Sequence, residues 1–173
     1  ISKIAEFIDS ENPRVIAHGF TSDLLKRIGA DDLVDEVRVI IDGNNGRTAY
    51  FTFSSQMRPA LHLFRIFGQK NGIIVDSNHQ TMIKVNGAKY KSYLDKFVPP
   101  MVFSKYYLKA FLTNVNLFLK RDFHMSSGMK FLIESFYRSV TQELPLPISY
   151  KEIILTSKIM DEIFEQLENQ RDC

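Results

Sequence analysis

The chain has 173 residues and a mass of 20.0 kDa, room for one compact domain or two very small ones, and about 70% of its unfolded surface can be buried without staples. Hydrophobic residues at 45% and charged residues at 24% exclude a disordered or fibrous chain. A formal net charge of +2 is too small by itself to imply nucleic acid or an anionic membrane.

One cysteine, Cys173, excludes an intrachain disulfide and leaves no Cys pair for zinc, so no metal site is expected. A reducing, cytoplasmic location is the simplest reading. No apolar run approaches the roughly 18 residues of a membrane-spanning helix, and no charged, then apolar, then small-residue start marks a signal peptide. The sequence opens at Ile1 inside an apolar-periodic segment, as a piece of a longer chain or a processed product would.

Ile1, Ile4, Ala5 and Ile8 recur at helical spacing, and Pro13 ends that helix by forcing Asn12 out of the α region. Arg14 to His18 reads as a short strand. Thr21 or Ser22 can cap a short helix through Ile28, with Gly29 as its left-handed stop. Five strands are then expected: Val34 to Asp42, Arg47 to Ser55, Leu61 to Phe67, Ile73 to Asp76 and Thr81 to Val85. Gly43-Asn44-Asn45-Gly46 and Gly68-Gln69-Lys70-Asn71-Gly72 are tight turns, so an antiparallel meander follows. Leu61, Leu63 and Phe67 fall on one face of their strand and Phe64 and Ile66 on the other. A solvated sheet face is mostly polar; this one is expected to be covered.

The last third is helical. Helices are expected over 102–122, 128–142 and 150–169, covering one face of the sheet. In the first, Phe103, Tyr107, Phe111 and Phe118 form one stripe, with Leu108, Leu112, Val115 and Leu119 beside it and Lys105, Lys109, Thr113, Asn116 and Lys120 opposite. Met129, Leu132, Ile133, Phe136 and Val140 form the inward stripe of the second. Ser149 and Glu152 have capping-box spacing before the third, whose Ile153, Met160, Ile163, Phe164 and Leu167 are expected inward.

Few residues announce chemistry. Tyr50-Phe51-Thr52-Phe53 lacks the basic-Gly-aromatic pattern of an RNA-reading strand, so packing explains it better and no nucleic-acid partner is expected. His18, His62, His79 and His124 sit on separate elements with no metal-ligand spacing. No Gly-x-Ser-x-Gly elbow, phosphate loop or Gly-x-Gly-x-x-Gly turn is present. His124-Met125-Ser126-Ser127-Gly128 precedes a helix whose free N–H groups can hold an anion, with an ordinary cap as the competing explanation. Arg58, His62 and Arg65 gather around a strand start.

Laid out in this order, the chain resembles the C-terminal half of the glucose–fructose oxidoreductase and inositol dehydrogenase (Gfo/Idh/MocA) family. The resemblance is carried by the strand Arg47–Ser54, the strand–turn–strand Phe64–Asp76, the helix Met129–Val140, the Leu144–Ile148 linker and the Ser149-led helix. It implies an α+β fold with an open-faced, mainly antiparallel sheet, helices on one face and the other face available for oligomerisation. The whole of 1–173 is then one domain, the substrate and dimerisation half of a chain whose N-terminal Rossmann domain lies outside it.

The activity implied is that of an NAD(P)-dependent dehydrogenase acting on a sugar, polyol or related hydroxylated substrate. NAD or NADP would be held by the parent, and these 173 residues alone are expected to be inactive and to bind neither tightly. Expected partners are the hydroxylated substrate, the Rossmann domain and a second copy packed through the sheet, with no membrane. The family's Glu-Lys-Pro motif is absent, and His18 lies beyond its catalytic His position, so no catalytic residue is assigned. Substrate contacts are expected from His124, Ser126, Arg58, His62, Arg65, Lys105 and Tyr106, the last two opening the helix before His124. The competing reading is a free-standing α+β module that binds a ligand or protein without redox chemistry.

Overall fold

The computed structural model describes residues 1–87, 93–123 and 127–170. The fold is α+β, with two antiparallel three-stranded sheets and five helices among those residues. The chain divides into two compact units, Ile1–Met57 with Leu132–Cys173, and Arg58–Phe131.

The first unit is built on β1 (Arg14–Phe20), β2 (Glu36–Asp42) and β3 (Thr48–Ser54), in that order across the sheet. Alternation puts Val15, Ala17 and Gly19, then Val37, Val39 and Ile41, then Ala49, Phe51 and Phe53 on one face. Helices α1 (Ser2–Ile8) and α5 (Tyr150–Asn169) close over it. Ile4, Ala5 and Ile8 from α1 meet Val15, Ala17, Val39 and Ile41 from the sheet and Leu155, Ile159, Ile163 and Leu167 from α5. Burying each such Ile or Leu contributes about 1.5–3 kcal/mol, and these side chains form one continuous core.

The approach of α5 to β1 is so close that any side chain at residue 19 would force its neighbours to shift. A Cβ there would sit 2.7 Å from Leu167 Cδ2 and 3.0 Å from Val34 Cγ1. Two glutamines of α5 and its C-cap use that proximity. Ala17 N–H donates to Gln166 Oε1 at 2.8 Å, and Gln166 Nε2 donates to Val15 C=O at 2.9 Å. Gln170 repeats the pattern, accepting from Gly19 N–H at 3.1 Å and donating to Ala17 C=O at 2.8 Å. Side-chain amides thus satisfy the groups a fourth strand would pair, and the β1 edge is sealed. Short α2 (Asp23–Arg27) is capped by Ser22, whose side chain accepts from Leu25 N–H, and Gly29 follows at φ +74° as expected.

The second unit carries β4 (Leu63–Phe67), β5 (Asn71–Asp76) and β6 (Thr81–Asn86), with α3 (Leu94–Leu119) packed on β6. Register puts Leu63, Arg65, Ile74, Asp76, Thr81 and Ile83 on one face. Among the described residues Ile83 is this unit's one buried apolar side chain. Along the chain, α4 (Ser127–Thr141) begins in the second unit and ends in the first.

Several expectations are corrected. The strands over 34–86 do not form one meander: β1 joins β2 and β3, and β4–β6 form a ladder of their own. Helix α3 starts at Leu94, and Pro99 and Pro100 lie inside it. They lie past the first turn, so the i→i−4 bonds to the Asp95 and Lys96 carbonyls are lost, which favours a bend there. Ser104 Oγ donates to Pro100 C=O at 2.9 Å, the kind of local bond that accompanies a bend. Phe111 and Phe136, expected inward, are 61% and 55% exposed. In α5 the buried stripe is Leu155, Ile159, Ile163 and Leu167, while Ile153 and Phe164 face out. That helix carries two adjoining apolar stripes, and the sheet selects one.

Candidate functional site

Two surfaces carry the chemistry. The first is the outer face of the β1–β2–β3 sheet, opposite α1 and α5. Cross-strand register arranges it in rows: Arg14, Asp42 and Thr48; Ile16, Ile40 and Tyr50; His18, Arg38 and Thr52; Phe20, Glu36 and Ser54. The apolar row is exposed, with Tyr50 74% open. Beside it Arg38 lies 3.2 Å from Glu36 and stacks 4.9 Å above the Phe20 ring, which holds the guanidinium flat on the sheet. An exposed apolar row flanked by polar and charged rows, with an aromatic and an Arg beside it, suits a protein-binding face.

The second is the polar end of the β4–β6 sheet, where the β5–β6 turn meets the segment before β4. Asp76 Oδ1 accepts from the N–H groups of Asn78 at 2.9 Å and His79 at 3.2 Å, which closes the turn. Asp76 Oδ2 lies 2.7 Å from His79 Nδ1. That bond, against the opposing pull of partial burial, holds the Asp76 carboxyl below the ordinary carboxylate value. An ionised Asp76 can only accept, so Nδ1 carries the proton and Nε2 is presented outward. Asn78 Nδ2 donates to Ala60 C=O at 2.6 Å, Ser77 N–H to His62 C=O at 3.0 Å, and Asn114 Nδ2 of α3 to His79 C=O at 3.1 Å. Three segments are thereby tied to the turn that carries His79, whose ring is held by Asp76 and is otherwise exposed.

The structure brings some of the expected substrate residues to this end and leaves others away from it. His62 lies at the entry to β4, bonded through its carbonyl to the same turn, and Arg58, joined to Pro59 by a cis peptide, precedes it. Arg65 is on β4 opposite Ile74. Lys105 and Tyr106 do not open a helix but lie in the middle of α3, Lys105 exposed and Tyr106 half-buried. No hydrogen bond or ion pair joins His62, Arg65, Lys105 and Tyr106 to one another. His124 and Ser126 lie outside the described residues. Sequence reading passed over Asp76, Asn78, His79 and Asn114. The signal was the Asp-x-Asn-His spacing after an apolar strand, an Asx turn that delivers a His to its own carboxylate.

A third polar cluster is structural. Asp35, 8% exposed, accepts from Ser22 N–H at 2.8 Å, Gln56 Nε2 at 3.0 Å and Ser55 Oγ at 3.2 Å. Burial pushes its carboxyl up, and the hydrogen bonds from Ser22, Gln56 and Ser55 outweigh burial, so its value lies below the ordinary one. Every partner is neutral and the cluster ties the α2 cap to the end of β3. An apolar groove of about 510 Å³, lined by Val37, Phe51, Phe53, Met160 and Phe164, also opens in this unit.

No protein-family model matches the chain, and neither does any curated protein or solved structure. No helix of the described residues is long and apolar enough to cross a membrane. No group of three or more His, Cys, Asp or Glu side chains among them is placed to hold a metal ion.

Proposed function

We propose that this chain is the substrate-binding and dimerisation domain of an NAD(P)-dependent oxidoreductase acting on a sugar, polyol or related hydroxylated substrate. The family resemblance supplies the reaction class. The observation that carries the rest is the outer face of the β1–β2–β3 sheet, where Ile16, Ile40 and Tyr50 stand exposed between the Arg14–Asp42–Thr48 and His18–Arg38–Thr52 rows. A second copy packing on this face would cover the apolar row and pair the charged ones. The oriented His79, with Asn114 and His62 near it, supplies directional donors and acceptors for hydroxyl groups.

The dinucleotide does not fit on these residues. Both sheets are antiparallel, so among the described residues no strand-to-helix crossover of a parallel sheet offers a helix start for the pyrophosphate. In this reading the cofactor is held by residues outside the chain, and hydride transfer depends on them.

Sedimentation of the protein and of Ile40→Glu tests the reading. The wild type is expected to be a dimer and the variant a monomer with unchanged thermal stability; a monomeric wild type at tens of micromolar (a range in which ~1,600 Å² interfaces form) removes the dimerisation role. An extended gene lacking a strand, a Gly-x-Gly-x-x-Gly turn and a helix upstream removes the oxidoreductase reading. The free-standing binding module would then stand, favoured by the complete core of the first unit.

A further inference from the structure

We infer that the outward face of α3 seats this protein on an anionic lipid surface. The half-buried side chains of α3, among them Val102, Tyr106, Ala110 and Leu117, fall on one side of the helix, and Asn114 on that side bonds the β5–β6 turn. Stepping about 100° per residue puts Phe97, Met101, Leu108, Phe111, Leu112 and Phe118 on the opposite side, in an apolar arc of about 120°. All are exposed, Phe97 at 70% and Phe118 at 71%. Apolar surface therefore covers the side of this helix that faces away from the β4–β6 sheet, the reverse of an ordinary amphipathic surface helix.

Charge selects the occupant. From Lys96 to Arg121 the chain carries Lys96, Lys105, Lys109, Lys120 and Arg121 and no Asp or Glu, in a protein with 20 acidic residues. Lys105 and Lys109 follow the apolar arc along one flank, and Lys120 continues that flank. None of the three has an acidic partner among the described residues. A second copy of this helix would bring like charges together at the rim. A phosphate-bearing bilayer opposes them along the flank from Lys105 to Lys120; the helix, about 39 Å for 26 residues, has Asp95 in its first turn as its one acidic residue. Phe and Tyr rings suit the headgroup boundary, and the long Lys side chains reach phosphates while their stems stay on apolar surface.

The helix lies in the interface plane and does not cross it. This departs from the expectation of no membrane partner, which rested on the net charge of the whole chain. Attraction to a charged surface is decided within a Debye length of about 8 Å, and so by the local patch. The inference stands apart from the oxidoreductase reading.

Flotation with vesicles tests it. The purified protein is expected to float with vesicles of equal parts phosphatidylcholine and phosphatidylglycerol, to stay behind with phosphatidylcholine alone, and to be released by salt. The pair Lys105→Ser and Lys109→Ser should lower partitioning on the order of twentyfold, and Phe111→Ser with Phe118→Ser should abolish it. Both variants alter exposed positions and should melt with the wild type. The inference is overturned if the wild type ignores the anionic vesicles, or binds neutral ones equally. It is also overturned if Phe111→Ser with Phe118→Ser dissolves a lipid-independent oligomer, which would make the face a protein interface.

Discussion

Ile159→Ala and Phe136→Ala together test where the core sits. Ile159 is fully buried in α5 among side chains of α1 and the β1–β2–β3 sheet, whereas Phe136 in α4 is more than half exposed. Truncating Ile159 removes three carbons, about 2.4 kcal/mol of transfer free energy at ~0.8 kcal/mol each. A residual void of roughly 50 Å³ at ~24 cal/mol per Å³ adds about 1.2 kcal/mol. The total, about 3.5 kcal/mol, lowers the melting temperature by roughly 7–14 °C for a chain of this size. Phe136→Ala, the larger deletion, should cost under about 1 kcal/mol because much of the ring is already wet. The chain has no tryptophan, so urea unfolding is best followed by far-UV circular dichroism. A loss for Phe136→Ala equal to or above that for Ile159→Ala would refute the assignment and place the α4 stripe in a core.

Replacing both Gln166 and Gln170 by Ala should cost about 0.5–1.5 kcal/mol per hydrogen bond lost. It should also open the β1 edge to strand pairing, seen as concentration-dependent sedimentation that either single variant shows less. Gly19→Ala drives a methyl into Leu167 and should cost about 1–3 kcal/mol, with Leu167→Ala relieving part of it in the double variant; an additive double variant would place the strain elsewhere. Asp35 has a lowered folded value, so its contribution to stability is present above the ordinary carboxylate value and disappears as pH falls through the lower one. Urea midpoints measured downward from about pH 5 should fall more steeply for the wild type than for Asp35→Asn, and parallel curves would count against the carboxylate's role. His79→Ala should weaken binding of a hydroxylated ligand while circular dichroism stays native, and so should Asn114→Ala to a lesser degree; unchanged titrations in both would leave the turn a purely structural feature.

Much of the secondary structure was legible because it is decided within a few residues. Ser149 caps α5 by accepting from Glu152 N–H at 3.2 Å, as its spacing predicts, and Gly29 takes the positive φ that a helix stop demands. The β2–β3 and β4–β5 hairpins follow from their Gly and Asn turns and from alternation along each strand. The helix expected from residue 102 begins eight residues earlier, at Leu94, and runs through Pro99 and Pro100, which break the local rule that proline is excluded from a helix interior. His79 was visible as a residue but not as a site. Its partner is three residues away on a turn, and its third support, Asn114, is 35 residues further on.

By itself the sequence determined the element types, the antiparallel hairpins, the caps and the α+β class, all of which depend on spacing and turn chemistry along the chain. Tertiary structure alone decided which apolar stripe is core. α5 has two candidate stripes, and contact with Val15, Ala17 and Ile41 buries Leu155, Ile159, Ile163 and Leu167 while leaving Phe164 exposed. In α3 both expected stripes stay largely outside: Tyr107, Phe111 and Phe118, and equally Leu108, Leu112 and Leu119, are more than half exposed. Hydrophobicity is non-directional: periodicity shows that a face is apolar, and only the position of the neighbouring elements settles what that face meets.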